Sequence, residues 1–135
     1  MKTLIAAIAV AAALAGCGTY HHTPKSADSA TQAGTPTQTS DGILIGPDGR
    51  SLYVFARDVA GSGQSACVAA CATNWPPLGV APNAAPLGDY TIITRADGSR
   101  QWAYKGLPLY YFAKDAKPGD RTGDGVGGNW RLARP

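Results

Sequence analysis

The heptapeptide Leu52-Tyr53-Val54-Phe55-Ala56-Arg57-Asp58 returns almost unchanged as Leu109-Tyr110-Tyr111-Phe112-Ala113-Lys114-Asp115, with Gly49 and Gly106 in matching places ahead of the two copies. Each copy is followed by a glycine-containing loop and then an Asn-Trp pair: Asn74-Trp75 after 15 residues, Asn129-Trp130 after 13. Two matches in register indicate a duplicated half-domain. Inside each copy the alternation has the period of a strand. It puts Tyr53 and Phe55 on one face and Leu52, Val54 and Ala56 on the other, and it pairs Tyr110 with Phe112. The fold class that follows is mainly β: a small antiparallel sheet domain built from two related half-repeats, with one short helical turn near the Cys pair, Cys67 and Cys71.

Outward from the repeat, residues 43–45 and 51–56 read as a hairpin around the turn Pro47-Asp48-Gly49. The Ala-rich residues 67–73 predict a short helix, ended by Asn74-Trp75-Pro76-Pro77 because proline disfavours helical geometry in the residue before it. Residues 79–88 form a Pro/Ala/Gly loop. Strands are expected at 90–95, 100–104 and 109–113, with turns at Asp97-Gly98 and Lys105-Gly106, and a last short strand at 129–132. Composition agrees. All nine acidic residues are Asp, with 17 Gly and 10 Pro, and these are turn formers, whereas the absent Glu favours helix interiors.

The N-terminal residues have a different character. Lys2 followed by the apolar run from Leu4 to Leu14 reads as a signal peptide over residues 1–16, too short for a bilayer span of roughly 20 apolar residues. Its end, Leu14-Ala15-Gly16-Cys17, resembles the bacterial lipobox, which implies that Cys17 receives a diacylglycerol and becomes the acylated first residue. Residues 18–41 are Ser, Thr, Ala, Gln, Gly and Pro with almost no large apolar side chain, so 17–41 is expected to be an acylated cysteine and disordered tether. Twenty-four such residues reach roughly 25–30 Å from the lipid. The two-copy repeat domain is then 42–135. Gly18 after the cysteine, where an Asp would favour inner-membrane retention, points to the outer membrane facing the periplasm if the source is Gram-negative.

Beyond the inner membrane the compartment is oxidising, and once Cys17 is acylated only Cys67 and Cys71 remain to pair. Four residues apart on a helical turn, their Cα atoms lie about 6 Å apart, within disulfide range. The competing reading is a soft-metal site of two thiolates. Such sites usually recruit His or Met, and residues 42–135 contain neither. The net charge of +3 is spread without a basic cluster, so nucleic acid leaves no footprint.

The aromatics Tyr53, Phe55, Trp102, Tyr104, Tyr110 and Phe112 share strand parity, and two readings stand. They form the core, or they form a ligand platform with tyrosine hydroxyls as polar handles. A platform leaves rings exposed in one patch; a core buries them all. Asp58 and Asp115 stand at equivalent strand ends, where a carboxylate either fixes the turn through backbone N–H groups or contacts a ligand. Asp120 and Asp124 with Asp115 loosely resemble a calcium loop, but the alternating EF-hand spacing and the bidentate Glu are missing. Without histidine in 42–135, no Ser-His-Asp, Cys-His or His-Glu-x-x-His arrangement can be assembled, and no catalytic residue or cofactor is expected.

Tyr53-x-Phe55-x-x-Asp58 and Tyr110-x-Phe112-x-x-Asp115 resemble the Tyr-x-(Phe/Trp/Tyr)-x-x-Asp signature of the "secreted repeat" family of bacterial lipoproteins. Cys67-x-x-x-Cys71, Trp75-Pro76-Pro77, Gln101-Trp102 and Gly123-Asp124-Gly125 also look familial. The resemblance covers nearly all of 42–135 and implies an envelope lipoprotein without assigning a reaction. Together these readings predict a non-catalytic binding or interaction domain, held to the membrane by acyl chains and facing an envelope component or envelope protein. The alternatives are a metal or redox accessory using Cys67/Cys71 or the Asp-rich loop, and a structural spacer without ligand.

Overall fold

The computed structural model describes residues 34–135; the expected signal peptide, Cys17 and the tether as far as residue 33 lie outside the described residues. The strands are β1 (Gln38–Ser40), β2 (Ile43–Ile45), β3 (Tyr53–Phe55), β4 (Tyr90–Thr94), β5 (Arg100–Tyr104), β6 (Leu107–Pro108) and β7 (Trp130–Leu132), with helix α1 (Ala70–Asn74) and a 3-10 turn at Val126–Gly128. All pairings are antiparallel: β1 with β2, β3 with β7, and β4-β5-β6 in one sheet. The fold is mainly β in small sheets, with a short helix beside Cys67 and Cys71, as the duplication and turn chemistry predict.

The halves are interlocked rather than placed side by side. Tyr53 and Tyr110 exchange both backbone hydrogen bonds, at 2.8 and 3.0 Å. Ala56 N–H reaches the carbonyl of Asn129 (2.7 Å) while Ala113 N–H reaches that of Asn74 (2.9 Å). Ala133 N–H donates to Leu52 O and Leu78 N–H to Leu109 O. Each of these bonds thus has a counterpart with the halves exchanged. The Asn-Trp segment of one half lies along the Tyr-x-Phe segment of the other. A half-repeat of this size buries too little surface to stand alone, and exchanging final segments merges two poor cores into one larger unit.

Two apolar clusters result, and they follow the predicted parity. Tyr53, Phe55, Tyr110 and Phe112 join Ile43, Cys67, Trp75, Trp130 and Leu132 in one. Leu44, Leu52, Val54, Leu78, Tyr90, Trp102 and Leu109 form the other, with Tyr104 packed against it.

Three expectations need correction. The folded unit starts before Gly42: β1 pairs with β2 across Asp41-Gly42, both at positive φ as a tight hairpin turn requires, and buried Thr37 shares a 2.5 Å hydrogen bond with the Tyr90 hydroxyl. Its residues are all exposed, so no apolar alternation marks the strand. The helix begins at Ala70, so Cys67 precedes it. Residues 109–113 are held by isolated bridges to Tyr53 and Pro77, not by a regular ladder, because Pro76 and Pro77 have no N–H to give. Arg131 and Leu132 stand in their place in the other half, and there β3 and β7 pair regularly.

Candidate functional site: the exchanged tyrosine–aspartate locks

The polar ends of the repeated motif meet across the halves. Tyr53 Oη donates to Asp115 Oδ2 at 2.5 Å, and Tyr110 Oη donates to Asp58 Oδ2 at 2.6 Å. Each tyrosine therefore bonds the aspartate of the other copy. Both rings are 0% exposed, and Asp58 and Asp115 are 8% and 3% exposed. Such buried charge-assisted bonds contribute about 1.5–3 kcal/mol each.

The surroundings of the two locks differ. Asp115 Oδ1 accepts from both the backbone N–H and the hydroxyl of Thr122, at 3.0 and 2.5 Å, while Gly123 N–H donates to Tyr53 Oη. Gly123 has no room for a side chain: an added Cβ would lie 2.8 Å from the Trp75 ring and 2.9 Å from that of Tyr53. Asp58 Oδ1 accepts only Ala66 N–H, at 2.6 Å. Because the Tyr110 proton goes to Asp58, the Ser65 hydroxyl, 2.6 Å away, donates to Tyr110. Ser65 in turn accepts from Arg95, a buried guanidinium that also donates to Gln101 Oε1 (2.7 Å) and to the Cys67 carbonyl (2.5 Å).

Burial pushes both phenols well above their ordinary pKa, and the carboxylates that accept their protons push in the same direction. Burial also raises Asp58, opposed by the Tyr110 and Ala66 hydrogen bonds and by the charge of Arg95.

Between the locks lies an aromatic stack. Trp75 and Trp130 are parallel at 3.7 Å, with Phe112 stacked on Trp75 (4.2 Å) and Phe55 on Trp130 (4.3 Å). Tyr53 meets Trp75 edge-on, and Tyr110 meets Trp130 likewise. The six aromatics taken together do not form a platform. Tyr53, Phe55, Tyr110 and Phe112 are core around the tryptophans, whereas Trp102 and Tyr104 belong to the second cluster and only Tyr104 is partly open. Asp58 and Asp115 fix loops through backbone N–H groups, as a turn carboxylate does, but they also hold the opposite half. Residue spacing alone did not single out Trp75, Trp130 or Arg95. The repeated Asn-Trp pair was the available signal for the tryptophans; nothing local marks Arg95.

Cys67 and Cys71 are joined by a disulfide, with Cα atoms 5.2 Å apart, so neither sulfur is present as a thiolate. Asp120 accepts from Lys117 Nζ and from the N–H groups of Ala116 and Lys117, whereas Asp124 accepts Leu132 N–H. Asp115, Asp120 and Asp124 thus turn to separate partners. Among the described residues, no three His, Cys, Asp or Glu side chains gather as metal ligands, no buried side-chain polar atom lacks a partner, and no helix is long and apolar enough to cross a membrane.

The model of a family described as a secreted repeat of unknown function matches residues 35–79 and 91–134, one span for each half. No curated protein and no solved structure matches the chain.

Proposed function

The chain belongs to the secreted-repeat family, and from that membership we propose that it serves as a lipid-anchored, non-catalytic binding module of the cell envelope. The observation that carries the reading is the exchanged pair of locks. The conspicuous polar groups of the motif, Tyr53, Asp58, Tyr110 and Asp115, are spent on holding the halves together, deep in the core. A catalytic carboxylate or phenol must reach a substrate, and these do not. What remains for function is a rigid surface displayed at the end of a tether. Cys17 carries the acyl chains, the signal peptide 1–16 directs export, and the polar residues between Cys17 and the first strand set the distance from the lipid. In a cell with two membranes Gly18 favours the outer one, facing the periplasm. The partner is an envelope component or envelope protein.

The test has two arms. Cys17→Ala should move the protein from the membrane fraction to the soluble envelope fraction, and the mass of the wild-type N-terminal peptide should include the acyl chains. Photo-crosslinkers at exposed positions of 34–135 should capture one recurring envelope component in cells. An unmodified Cys17 would overturn the anchor, and crosslinking that never exceeds a scrambled-position control would overturn the binding role.

A further inference from the structure

The pseudo-symmetry breaks at the middle residue of the repeated Tyr-x-Phe segment. Val54 and Tyr111 are equivalent, each the middle residue of its Tyr-x-Phe segment. Each faces the hairpin turn of the opposite half. Tyr111 fills its corner. An added Cβ at Gly46 would overlap its phenol, the Arg50 guanidinium lies 4.3 Å over its ring, and Arg50 is itself paired with Asp48 at 2.6 Å. Burial, with the Asp48 charge, pushes this phenol up to about 12.

Val54 is too short to fill the matching corner, and a groove of about 410 Å³ opens there. That volume lies in the range of small-molecule sites. Tyr104 occupies the hairpin position equivalent to Gly46, but its ring leans on Tyr90 at 4.9 Å and forms a wall rather than a plug. Leu107 continues the apolar lining, and Lys105, Arg131 and Arg134 border it. One carboxylate, Asp124, is present, and its Oδ1 already accepts Leu132 N–H. Among the described residues, none of the three cations is ion-paired. The filled corner therefore holds a ring and an internal Arg–Asp pair, whereas the open one has space for a ring and an excess of positive charge.

From this contrast we infer that the groove over Val54 binds a small aromatic carboxylate, its ring taking the place that Tyr111 occupies on the other side and its carboxylate facing Lys105, Arg131 and Arg134. The inference rests on the binding-module reading and names a site and a ligand class for it. Guanidinium groups suit both parts of such a ligand, since they pair with carboxylates and stack on rings.

The probe is 4-hydroxybenzoate, titrated into the folded full chain and followed by methyl and amide NMR shifts. Saturable shifts centred on Val54, Leu107 and Leu132 are expected below about 10 mM. Phenol and cyclohexanecarboxylate, which lack the charge or the ring, should each bind at least about tenfold more weakly. Val54→Tyr, which rebuilds the filled corner, should abolish the shifts. Arg131→Gln with Arg134→Gln, which leaves the core untouched, should weaken binding about tenfold. The proposal is overturned by no saturation, by equal affinity for cyclohexanecarboxylate, or by binding to Val54→Tyr as tight as to wild type. An envelope component still captured in cells by Val54→Tyr would overturn this groove as its site and leave the binding-module reading standing.

Discussion

The two locks use the same residues and differ in what supports them. Around Tyr53–Asp115 the support is a glycine loop: Thr122 gives the carboxylate two donors, and Gly123 packs its bare backbone against Trp75 and Tyr53. Around Tyr110–Asp58 it is the segment leading into the disulfide: one backbone donor from Ala66 and a relayed hydroxyl from Ser65, backed by a buried arginine. The comparison teaches which parts of a duplicated half are constrained by the other half and which are free to diverge. What lies on the shared axis of the exchange, the two Tyr-x-Phe segments and their tryptophans, is alike in both copies, whereas the loops behind it differ.

The shared stack is the place to break both locks together. Trp130→Ala removes a ring that stacks on Trp75 and Phe55 and meets Tyr110 edge-on. Its expected cost is about 3–5 kcal/mol, a large part of the stability of a domain this size. Urea unfolding of the variant should show a collapsed midpoint, or no folded baseline, and Trp75→Ala should behave alike. A strongly unequal pair would mean that one half folds without the other.

Alkaline pH acts on both locks with less force. The folded pKa values of Tyr53 and Tyr110 lie well above the ordinary phenol value. Their contribution is therefore fully present below the unfolded pKa of about 10 and is lost as pH rises from there toward the folded values. The limiting slope is about 1.4 kcal/mol per pH unit for each tyrosine. Urea midpoints measured at about pH 9 and about pH 11 should fall accordingly, and carrying Phe at both positions should remove that part of the slope.

Single tyrosine deletions separate the locks. Tyr110→Phe leaves Asp58 with the Ala66 N–H alone, whereas Tyr53→Phe leaves Asp115 with both Thr122 donors. Each should cost about 1.5–3 kcal/mol, with Tyr110→Phe toward the upper end. Equal losses in chemical denaturation would show that the loop supports do not matter to the locks.

Much of this was legible in the chain. The duplicated Leu-Tyr-x-Phe-Ala-(Arg/Lys)-Asp segment predicted two halves and the faces of their strands, and both faces proved buried. In an oxidising compartment Cys67 and Cys71 are left to each other once Cys17 is acylated, and they are joined. The exchange was not legible, for a physical reason. Two nearly identical motifs allow Tyr53 to bond Asp58 or Asp115 with the same chemistry, and only three-dimensional strand pairing chooses. The platform failed for a related reason. Strand parity sorts side chains to faces, but it does not reveal that Asn129-Trp130 crosses over to cover the face of β3. β1 escaped because an exposed polar strand carries no apolar period, although Asp41-Gly42 was a hairpin signal.

The most local effect is expected at the disulfide. Cys67→Ala with Cys71→Ala removes a bridge that closes only a five-residue loop, and chain-entropy loss on that scale contributes about 2 kcal/mol. The bridge pins Cys67, whose carbonyl accepts from Arg95 and whose chain neighbour Ala66 gives its N–H to Asp58. Amide exchange of Ala66 should therefore quicken in the double variant, while that of Thr122, the matching donor to Asp115, keeps its wild-type rate. Equal acceleration of both amides would mean that the disulfide stabilises the whole interlocked unit, and the division between a shared axis and private loops would then have to be drawn elsewhere.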